Sequence, residues 1–192
     1  IIHFAAHTIV PESVSNPLKY YGNNTCATRS LLEAASQAGV KHFVFSSTAA
    51  VYGNPDQMPV PEHAPTRPLS PYGSSKLMAE LMLHDVAAAH GMKYVALRYF
   101  NVAGAYGKQG ERHDPESHLI PLILQVAQGR REAISVFGED YPTPDGTCIR
   151  DYVHVDDLAA AHLAALDRLQ PGKSIKVNLG TGRGYSVREV IN

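Results

Sequence analysis

Short apolar runs that alternate with helical patterns are the feature that most restricts how this chain can fold. A helical pattern over about residues 22–38 stops at Gly39 and leads into Lys41–Ser46, a continuous run typical of a buried strand. A second helical pattern, about residues 73–90, stops at Gly91 and precedes a strand predicted over Tyr94–Phe100. Helices alternating with buried strands are typical of crossover units on a parallel sheet. We therefore predict an α/β fold with a doubly wound parallel sheet.

The segments on either side of this core are shorter. Residues 1–5 are predicted to form a strand, and a long irregular segment follows Asn101. Beyond it we predict a helix over about 117–129, a strand at Ser135–Phe137 and a turn at Tyr141–Gly146. These short elements indicate a smaller lobe built on the sheet.

The last part of the chain contains helix and turn signals. Asp156 or Asp157 can cap a helix that runs to about Arg168, and Ile175–Leu179 resembles a further strand. The run Gly180-Thr181-Gly182-x-Gly184 lacks the spacing of a dinucleotide fingerprint, so we predict a turn there. Ser186-x-x-Glu189 is a capping box that opens another helix.

Composition limits the classes of partner. The 17 basic and 18 acidic residues are mixed along the chain and give a net charge of −1, which argues against a nucleic-acid or anionic-lipid partner. No apolar run reaches the length of a membrane span, so we expect no membrane partner. Cys26 and Cys148 lie far apart without Cys-x-x-Cys spacing, which favours a reducing, cytoplasmic setting. Because the chain begins without Met, lacks a signal-peptide pattern and stops within a predicted helix, we expect it to be an excerpt of a longer protein.

Tyr72 and Lys76 are the candidate reacting groups. They are four residues apart where a helix begins, so their side chains share one face. An ammonium group nearby favours the phenolate and can lower a tyrosine pKa enough for the tyrosine to act as a base. Thr48 follows the strand predicted over 41–46, at the sheet edge where ligands of open α/β folds usually bind. Taken alone, a tyrosine and a lysine one turn apart more often mark a solvated helix face.

Three segments together resemble a known family. They are Ser-Ser-Thr-Ala-Ala-Val-Tyr-Gly at 46–53, Ser-Pro-Tyr-Gly-x-x-Lys at 70–76, and Arg-Tyr-Phe-Asn at 98–101. Their combination resembles the extended short-chain dehydrogenase/reductase family, and within it the nucleotide-sugar 4-epimerases. The resemblance covers essentially the whole chain. It implies a truncated Rossmann-like NAD-binding domain over 1–101 and a mainly substrate-binding lobe over 102–192, with 151–180 returning to the main sheet.

The resemblance also implies a reaction and a set of site residues. The reaction would interconvert UDP-glucose and UDP-galactose through a 4-keto sugar, with transient hydride transfer to tightly bound NAD, in a cytoplasmic homodimer. The implied catalytic residues are Thr48, Tyr72 and Lys76. The implied cofactor-binding residues are Phe4, Ala5, Ala6, His7, Thr8, Asn23, Tyr72, Lys76 and Phe100. The implied UDP-sugar-binding residues are Thr48, Tyr72, Asn101, His118, Leu119, Ser135, Val136, Phe137 and Arg150. Relatives often carry lysine where this chain has Thr8.

Other functions stay open at this point. A nucleotide-sugar 4,6-dehydratase would share the first oxidation, but relatives of that type carry acidic residues just after the threonine, where this chain has Ala49-Ala50. A decarboxylating or 3,5-epimerising relative matches Asn101–Gly104 less well. A binding module or an inactive fragment is the non-enzymatic alternative, because no Gly-x-x-Gly-x-x-Gly loop follows the first predicted strand.

Two further patterns have ordinary explanations. The side chains of His113, Asp114, Glu116 and His118 could hold a metal, but their spacing matches no standard motif, so we favour a loop in which His118 faces the nucleotide. Met78, Leu81 and Met82 form a stripe that we expect to lie in the core.

Overall fold

The computed structural model describes residues 1–169 and 173–192, which group into two compact units. The first unit contains Ile1–Tyr99 and Ala159–Leu179, and the second contains Phe100–Leu158 and Gly180–Asn192. Each unit has its own sheet.

A four-stranded parallel sheet is the centre of the first unit. Its strands are β1 (Ile2–His3), β2 (His42–Thr48), β3 (Lys93–Tyr99) and β6 (Ile175–Leu179), in the order β1-β2-β3-β6. The predicted strand at 175–179 is confirmed, β2 extends two residues further than predicted, and β1 is shorter than the predicted 1–5. Because all neighbours are parallel, every strand ends at the same edge of the sheet.

Helices cover both faces of this sheet. The helices of the first half are α1 (Val10–Ser15), α2 (Pro17–Tyr20), a π-helical segment (Tyr21–Cys26) that continues into α3 (Ala27–Gln37), and α4 (Pro71–His90). Phe43 and Phe45 of β2 pack in one core cluster with Leu83 of α4, whereas Val44 between them packs with Leu169 on the opposite face. Successive strand residues point to opposite faces, so this alternation confirms the doubly wound arrangement.

The buried face of α4 differs from the prediction. Its buried residues include Lys76, Ala79, Glu80 and Leu83, whereas Met78 is 43% exposed and Leu81 is 53% exposed. The expectation that the Met78, Leu81 and Met82 stripe lies in the core is therefore wrong for Met78 and Leu81, and only Met82 packs against the core. Lys76 and Glu80 of this helix face the sheet, and this orientation of the helix leaves Met78 and Leu81 exposed.

The second unit has a smaller, mixed sheet. Its strands β4 (Asn101–Ala103), β5 (Ile149–His154) and β7 (Gly184–Ser186) lie in the order β4-β5-β7, with β4 parallel and β7 antiparallel to β5. The unit also contains α5 (Leu119–Ala127) and α7 (Val187–Ile191). At the start of α7 the Ser186 side chain accepts from Glu189 N–H and the Glu189 side chain accepts from Ser186 N–H, which confirms the capping box.

Two local predictions are wrong. Ser135–Phe137 forms no strand, since no neighbouring chain pairs with it among the described residues, and Phe137 is 87% exposed. Asp156 and Asp157 lie inside the first turn of α6 (Val155–Leu169) and do not precede it. The ring nitrogen of His154 accepts from Asp156 N–H at 3.2 Å instead, so a histidine provides the cap.

In the described parts of the chain, no helix combines the length and apolar character that crossing a membrane requires. Cys26 and Cys148 are free thiols.

Candidate active site

The candidate active site of the first unit is built where β2 ends and α4 begins. A short 3-10 turn, Ala49–Val51, follows Thr48, whose side chain accepts from Ala50 N–H at 3.1 Å. Ser70 caps α4 by accepting from Gly73 N–H, and Pro71 occupies the first turn, where its missing N–H costs nothing. Both signals start the helix just before Tyr72, so Tyr72 and Lys76 occupy successive turns beside the end of β2.

Gly73 allows this start of α4 to approach the turn after β2 closely. A Cβ atom at Gly73 would lie 2.7 Å from the carbonyl oxygen of Ala50 and 3.0 Å from the Pro68 side chain. Real Cβ atoms do not approach a backbone oxygen this closely, so any other residue would push α4 away from β2.

Lys76 is buried and fixed to the strand beside it. Its ammonium group donates to the carbonyl oxygen of Ser46 at 2.7 Å and lies 5.1 Å from the centre of the Phe45 ring. Burial lowers the pKa of Lys76 to about 8, because the low-dielectric surroundings penalise the charged form. The lysine is thus held in place as a hydrogen-bond donor at the end of the sheet.

Tyr72 is partly buried beside Thr48. Burial raises the pKa of Tyr72 to about 12, while a hydrogen bond with Thr48 acts in the opposite direction and the charge of Tyr99 adds to the rise. The sequence led us to expect that Lys76 lowers this pKa, but the structure shows a net rise. The reason is that desolvation dominates the environment of the phenol. Within this chain, the group that favours ionisation of Tyr72 is the Thr48 hydroxyl.

A buried polar network, which sequence reasoning missed, connects β2, β3 and α4 next to Thr48 and Lys76. Both oxygens of the Glu80 carboxylate accept from the Arg98 guanidinium, at 2.9 and 2.6 Å, and Ser47 donates to Glu80 at 2.5 Å. Arg98 also donates to the Tyr52 hydroxyl, which in turn donates to Asn178. Burial acts to raise the pKa of Glu80, but the hydrogen bonds and charge of Arg98 and the Ser47 hydrogen bond hold it below its ordinary value.

The signal for this network was present in the sequence. Glu80 lies one turn after Lys76 on the same helix face, and Arg98 is a single cation within the strand predicted over Tyr94–Phe100. A charge in each of two buried segments suggests that the two charges pair.

The loop after β1 is attached to α4 through a second missed residue, Asn24. Its side-chain amide accepts from His7 N–H at 2.8 Å and donates to the His7 carbonyl at 2.9 Å. The same amide group donates to the Ser75 hydroxyl at 3.1 Å, and Ser75 donates to the Tyr72 carbonyl. Asn24 is buried, whereas its neighbour Asn23, which the sequence favoured, is exposed.

The other predicted cofactor-binding residues of the first unit, apart from Asn23, form the loop that Asn24 holds. This loop, Phe4–Thr8, follows β1 at the carboxyl edge of the sheet. Phe4 is exposed, with its ring 4.8 Å from that of His162, and Ala5 and Thr8 are exposed as well. Ala6 and His7 are partly buried.

In the second unit, Phe100 and Asn101 begin the structure after β3. Both are partly buried, and the Asn101 side chain donates to the carbonyl of Asp151 at 3.3 Å. The Asp151 carboxylate accepts from Thr181 N–H and Gly182 N–H, each at 2.9 Å. The glycine-rich run 180–184 is thus a turn held by a carboxylate, as expected from its spacing.

The other residues predicted for the nucleotide are mostly accessible in the second unit. Arg150 is exposed on β5 and donates to the Ile149 carbonyl. His118 is exposed just before α5, beside the Glu116 carboxylate at 2.9 Å, and Leu119 is partly buried. Ser135 and Phe137 are exposed and Val136 is partly buried, in an irregular segment.

The donor set of the first unit fits the nicotinamide half of an NAD molecule. Lys76 has three N–H donors, one of which is used by the Ser46 carbonyl, and a ribose offers hydroxyl acceptors. No Gly-x-x-Gly-x-x-Gly loop follows β1, so we assign no residue of this chain to the phosphates of NAD through such a loop. Gly104, Gly107 and Gly110 have that spacing, but they surround a tight turn with a Tyr106–Gln109 bridge, and α5 begins only at Leu119.

Known proteins resemble this chain closely. The model of the NAD dependent epimerase/dehydratase family matches residues 1–180. A UDP-glucose 4-epimerase from Streptomyces lividans is 60% identical over 193 residues, an alignment that covers 100% of this chain and 58% of that protein. The chain thus spans less than two thirds of the length of this relative.

Solved structures agree in fold and sequence. The crystal structure of UDP-glucose 4-epimerase from Brucella ovis in complex with NAD has a TM-score of 0.95 and 53% identity, over 98% of this chain and 59% of that chain. UDP-glucose 4-epimerase from Bifidobacterium longum in complex with NAD+ and UDP has a TM-score of 0.90 and 44% identity, over 98% of this chain and 58% of that chain. The family match over nearly the whole sequence shows that the chain belongs to the NAD dependent epimerase/dehydratase family.

Proposed function

We propose that the full-length protein is a UDP-glucose 4-epimerase, which interconverts UDP-glucose and UDP-galactose with tightly bound NAD. The observation that carries this proposal is the arrangement of Thr48, Tyr72 and Lys76 where β2 meets α4. The 60% identity to the UDP-glucose 4-epimerase of Streptomyces lividans supports the choice of substrate.

Proton transfer is the task of Tyr72 and Thr48 in this proposal. The Tyr72 phenolate takes the proton of the sugar 4-hydroxyl and later returns it. The Thr48 hydroxyl assists through its hydrogen bond with Tyr72. NAD, when bound, would reversibly accept the hydride from C4, the sugar carbon that carries this hydroxyl. Burial raises the pKa of Tyr72 to about 12, and the positive charge of a bound oxidised nicotinamide would favour its ionisation.

In this scheme Lys76 holds and orients the cofactor. Its ammonium group donates to the Ser46 carbonyl, and we assign its other N–H donors to a ribose hydroxyl of the cofactor. We further assign Phe4, Ala5, Ala6, His7, Thr8, Asn23 and Phe100 to the cofactor.

The second unit provides the proposed nucleotide contacts. A planar guanidinium can hold phosphate oxygens through paired hydrogen bonds, so we assign Arg150 to the diphosphate. The exposed Phe137 ring can stack on the uracil. The other proposed contacts are Asn101, His118, Leu119, Ser135 and Val136.

The carboxylates that a dehydratase would need are missing beside Thr48. The turn after it carries Ala49 and Ala50, and the nearest acidic side chain of the helix face, Glu80, is fully buried against Arg98. This supports epimerisation over elimination of water.

Replacement of Tyr72 by Phe in the full-length protein tests the assignment. We expect turnover of UDP-galactose to fall by about 100-fold or more, because a positioned general base contributes about that factor. Binding of UDP, measured by calorimetry, should stay within about threefold of the wild-type value. Near wild-type interconversion by Tyr72→Phe would refute the proposed role, and Tyr21→Phe serves as the control.

A further inference from the structure

The loop of residues 110–118, which leads into α5, gathers two imidazoles and a carboxylate. His113 Nε2 lies 2.8 Å from Glu111 Oε1, and His118 Nδ1 lies 3.8 Å from Glu111 Oε2. The rings of His113 and His118 meet edge to face at 4.8 Å. One ligand atom from each of the three residues can be chosen so that all lie within 4.8 Å of one another.

Two nitrogen donors and one carboxylate oxygen suit a first-row transition-metal ion. Imidazole is a preferred ligand of Zn²⁺, Cu²⁺ and Ni²⁺, whereas Mg²⁺ and Ca²⁺ prefer sets of oxygen ligands. Zinc bonds of about 2.1 Å in a tetrahedral site put the ligand atoms about 3.4 Å apart. Side-chain rotations that move the ligand atoms by on the order of 1 Å would bring the three groups from their present positions to that spacing.

Glu116 adds the outer contact that such a site needs. Its carboxylate lies 2.9 Å from His118 Nδ1 and also accepts from the backbone N–H groups of Ser117 and His118, each at 2.8 Å. The Glu116 side chain is only 11% exposed, so it is fixed. Because Glu116 takes Nδ1 of His118, the metal would bind Nε2 of that ring, and a carboxylate on the other ring nitrogen orients a metal-bound histidine and makes it a better ligand.

From the sequence alone we favour a loop without metal here, because the spacing of His113, Asp114, Glu116 and His118 matches no standard motif. Asp114 was a candidate and Glu111 was not, because only the folded loop brings Glu111 against both histidines. The two rings and the carboxylate come from the eight residues 111–118, and a metal bound by them would fix the irregular segment in front of α5.

We propose that Glu111, His113 and His118 bind a first-row transition-metal ion such as Zn²⁺, with Glu116 as the outer carboxylate. None of these four residues belongs to the proposed proton-transfer set of Thr48, Tyr72 and Lys76. It shares His118 with the proposed nucleotide contacts, and the test therefore uses the other two ligands.

The test titrates ZnCl₂ into the full-length protein by isothermal calorimetry, after removal of any affinity tag and of bound metal with a chelator. We expect one saturable site, and we expect His113→Ala and Glu111→Gln each to weaken binding by about tenfold or more. His84→Ala is the matched control, because His84 is also exposed and lies 3.1 Å from an acidic partner, Asp85. This variant should bind like the wild type.

Co²⁺ identifies the ligands independently. Nitrogen and oxygen ligation gives visible bands without strong near-ultraviolet absorption, whereas intense near-ultraviolet absorption would indicate a thiolate of Cys26 or Cys148. Circular dichroism of each variant checks that the fold is retained. A thiolate spectrum, an absence of saturable Zn²⁺ binding, or equal affinity of wild type and His113→Ala would each overturn the proposal.

Discussion

At the scale of single residues, two buried charges next to each other on α4 play opposite roles in stability. Lys76 is buried, and its contacts with the Ser46 carbonyl and the Phe45 ring supply no counter-charge, so its charge is costly. Glu80 is buried too, but Arg98 and Ser47 compensate its charge. Lys76 belongs to the proposed catalytic set, whereas Glu80 holds the end of the strand beside it.

Lys76 should make stability depend on pH. Burial lowers the pKa of Lys76 from 10.5 to about 8, so below pH 8 both states are protonated and the cost of the buried charge is fully present. Between about pH 8 and 10.5 the folded protein loses this proton first, and the free energy of unfolding rises. We expect Lys76→Met to remove this rise and to be more stable than wild type at pH 7, by about 1 to 3 kcal/mol.

Urea unfolding of both proteins between pH 7 and 9.5 measures the difference. Other titrating groups are common to the two proteins, so they cancel in the comparison. A constant difference across this range would contradict the lowered pKa of Lys76.

Glu80→Gln should be strongly destabilising. The change leaves the Arg98 guanidinium buried without its counter-charge, and breaking a buried pair typically costs about 3 to 5 kcal/mol. Glu33→Gln is the control, because Glu33 forms an exposed pair with Arg29 one turn away, worth less than about 1 kcal/mol. Equal losses for the two variants in urea unfolding would show that the network contributes little.

The sequence offers candidate reacting residues more readily than it reveals their support. Tyr72, Lys76 and Thr48 belong to local motifs, so the combination of those motifs along the chain is enough to propose them. Asn24 and the Glu80–Arg98 pair act through hydrogen bonds between segments far apart in sequence. The raised pKa of Tyr72 likewise depends on burial, which spacing does not reveal.

At the scale of elements, local signals were sufficient where they were strong. Gly39 and Gly91 adopt the left-handed conformation at the ends of α3 and α4, as the sequence indicated. The run Ser135–Phe137 had only three residues and no signal for a partner strand, so its local preference did not decide its structure. The prediction for the buried face of α4 was wrong because this face combines the polar Lys76 and Glu80 with apolar residues such as Leu83.

Gly73→Ala should displace the start of α4. The added methyl group would lie 2.7 Å from the Ala50 carbonyl oxygen, so Tyr72 should move away from Thr48. We expect turnover by the full-length protein to fall about tenfold or more, since small displacements of reacting groups are costly.

Gly22→Ala is the matched control for this change. Gly22 is also helical, and a Cβ atom there would meet nothing within 4 Å. Alanine should stabilise this position by up to about 1 kcal/mol, judged by thermal unfolding. Unchanged turnover of Gly73→Ala would contradict the role given to the close approach.

At the scale of the whole molecule, the apolar stripe outside α4 bears on assembly. The exposed side chains of Met78 and Leu81 lie on the side of α4 away from the sheet. The family resemblance implies a homodimer, and we propose that this surface pairs the two copies of the full-length protein, because exposed apolar patches commonly mark such contacts.

Leu81→Glu should weaken this dimer. A charge in an apolar contact has to be desolvated, so we expect a shift toward monomer in analytical ultracentrifugation at micromolar concentration. Leu163→Glu is the control, since Leu163 is 65% exposed on α6. A wild-type monomer, or an equal shift in both variants, would refute the proposed surface.

Three neighbouring residues of β2 each hold one residue of α4. The Ser46 carbonyl holds Lys76, the Ser47 hydroxyl holds Glu80, and Thr48 holds Tyr72. The connection between strand and helix therefore does not need to hold the helix in place, and its stretch 56–59 is exposed. This stretch is where the chain can accept insertions, or carry a spectroscopic reporter, without moving the groups that react.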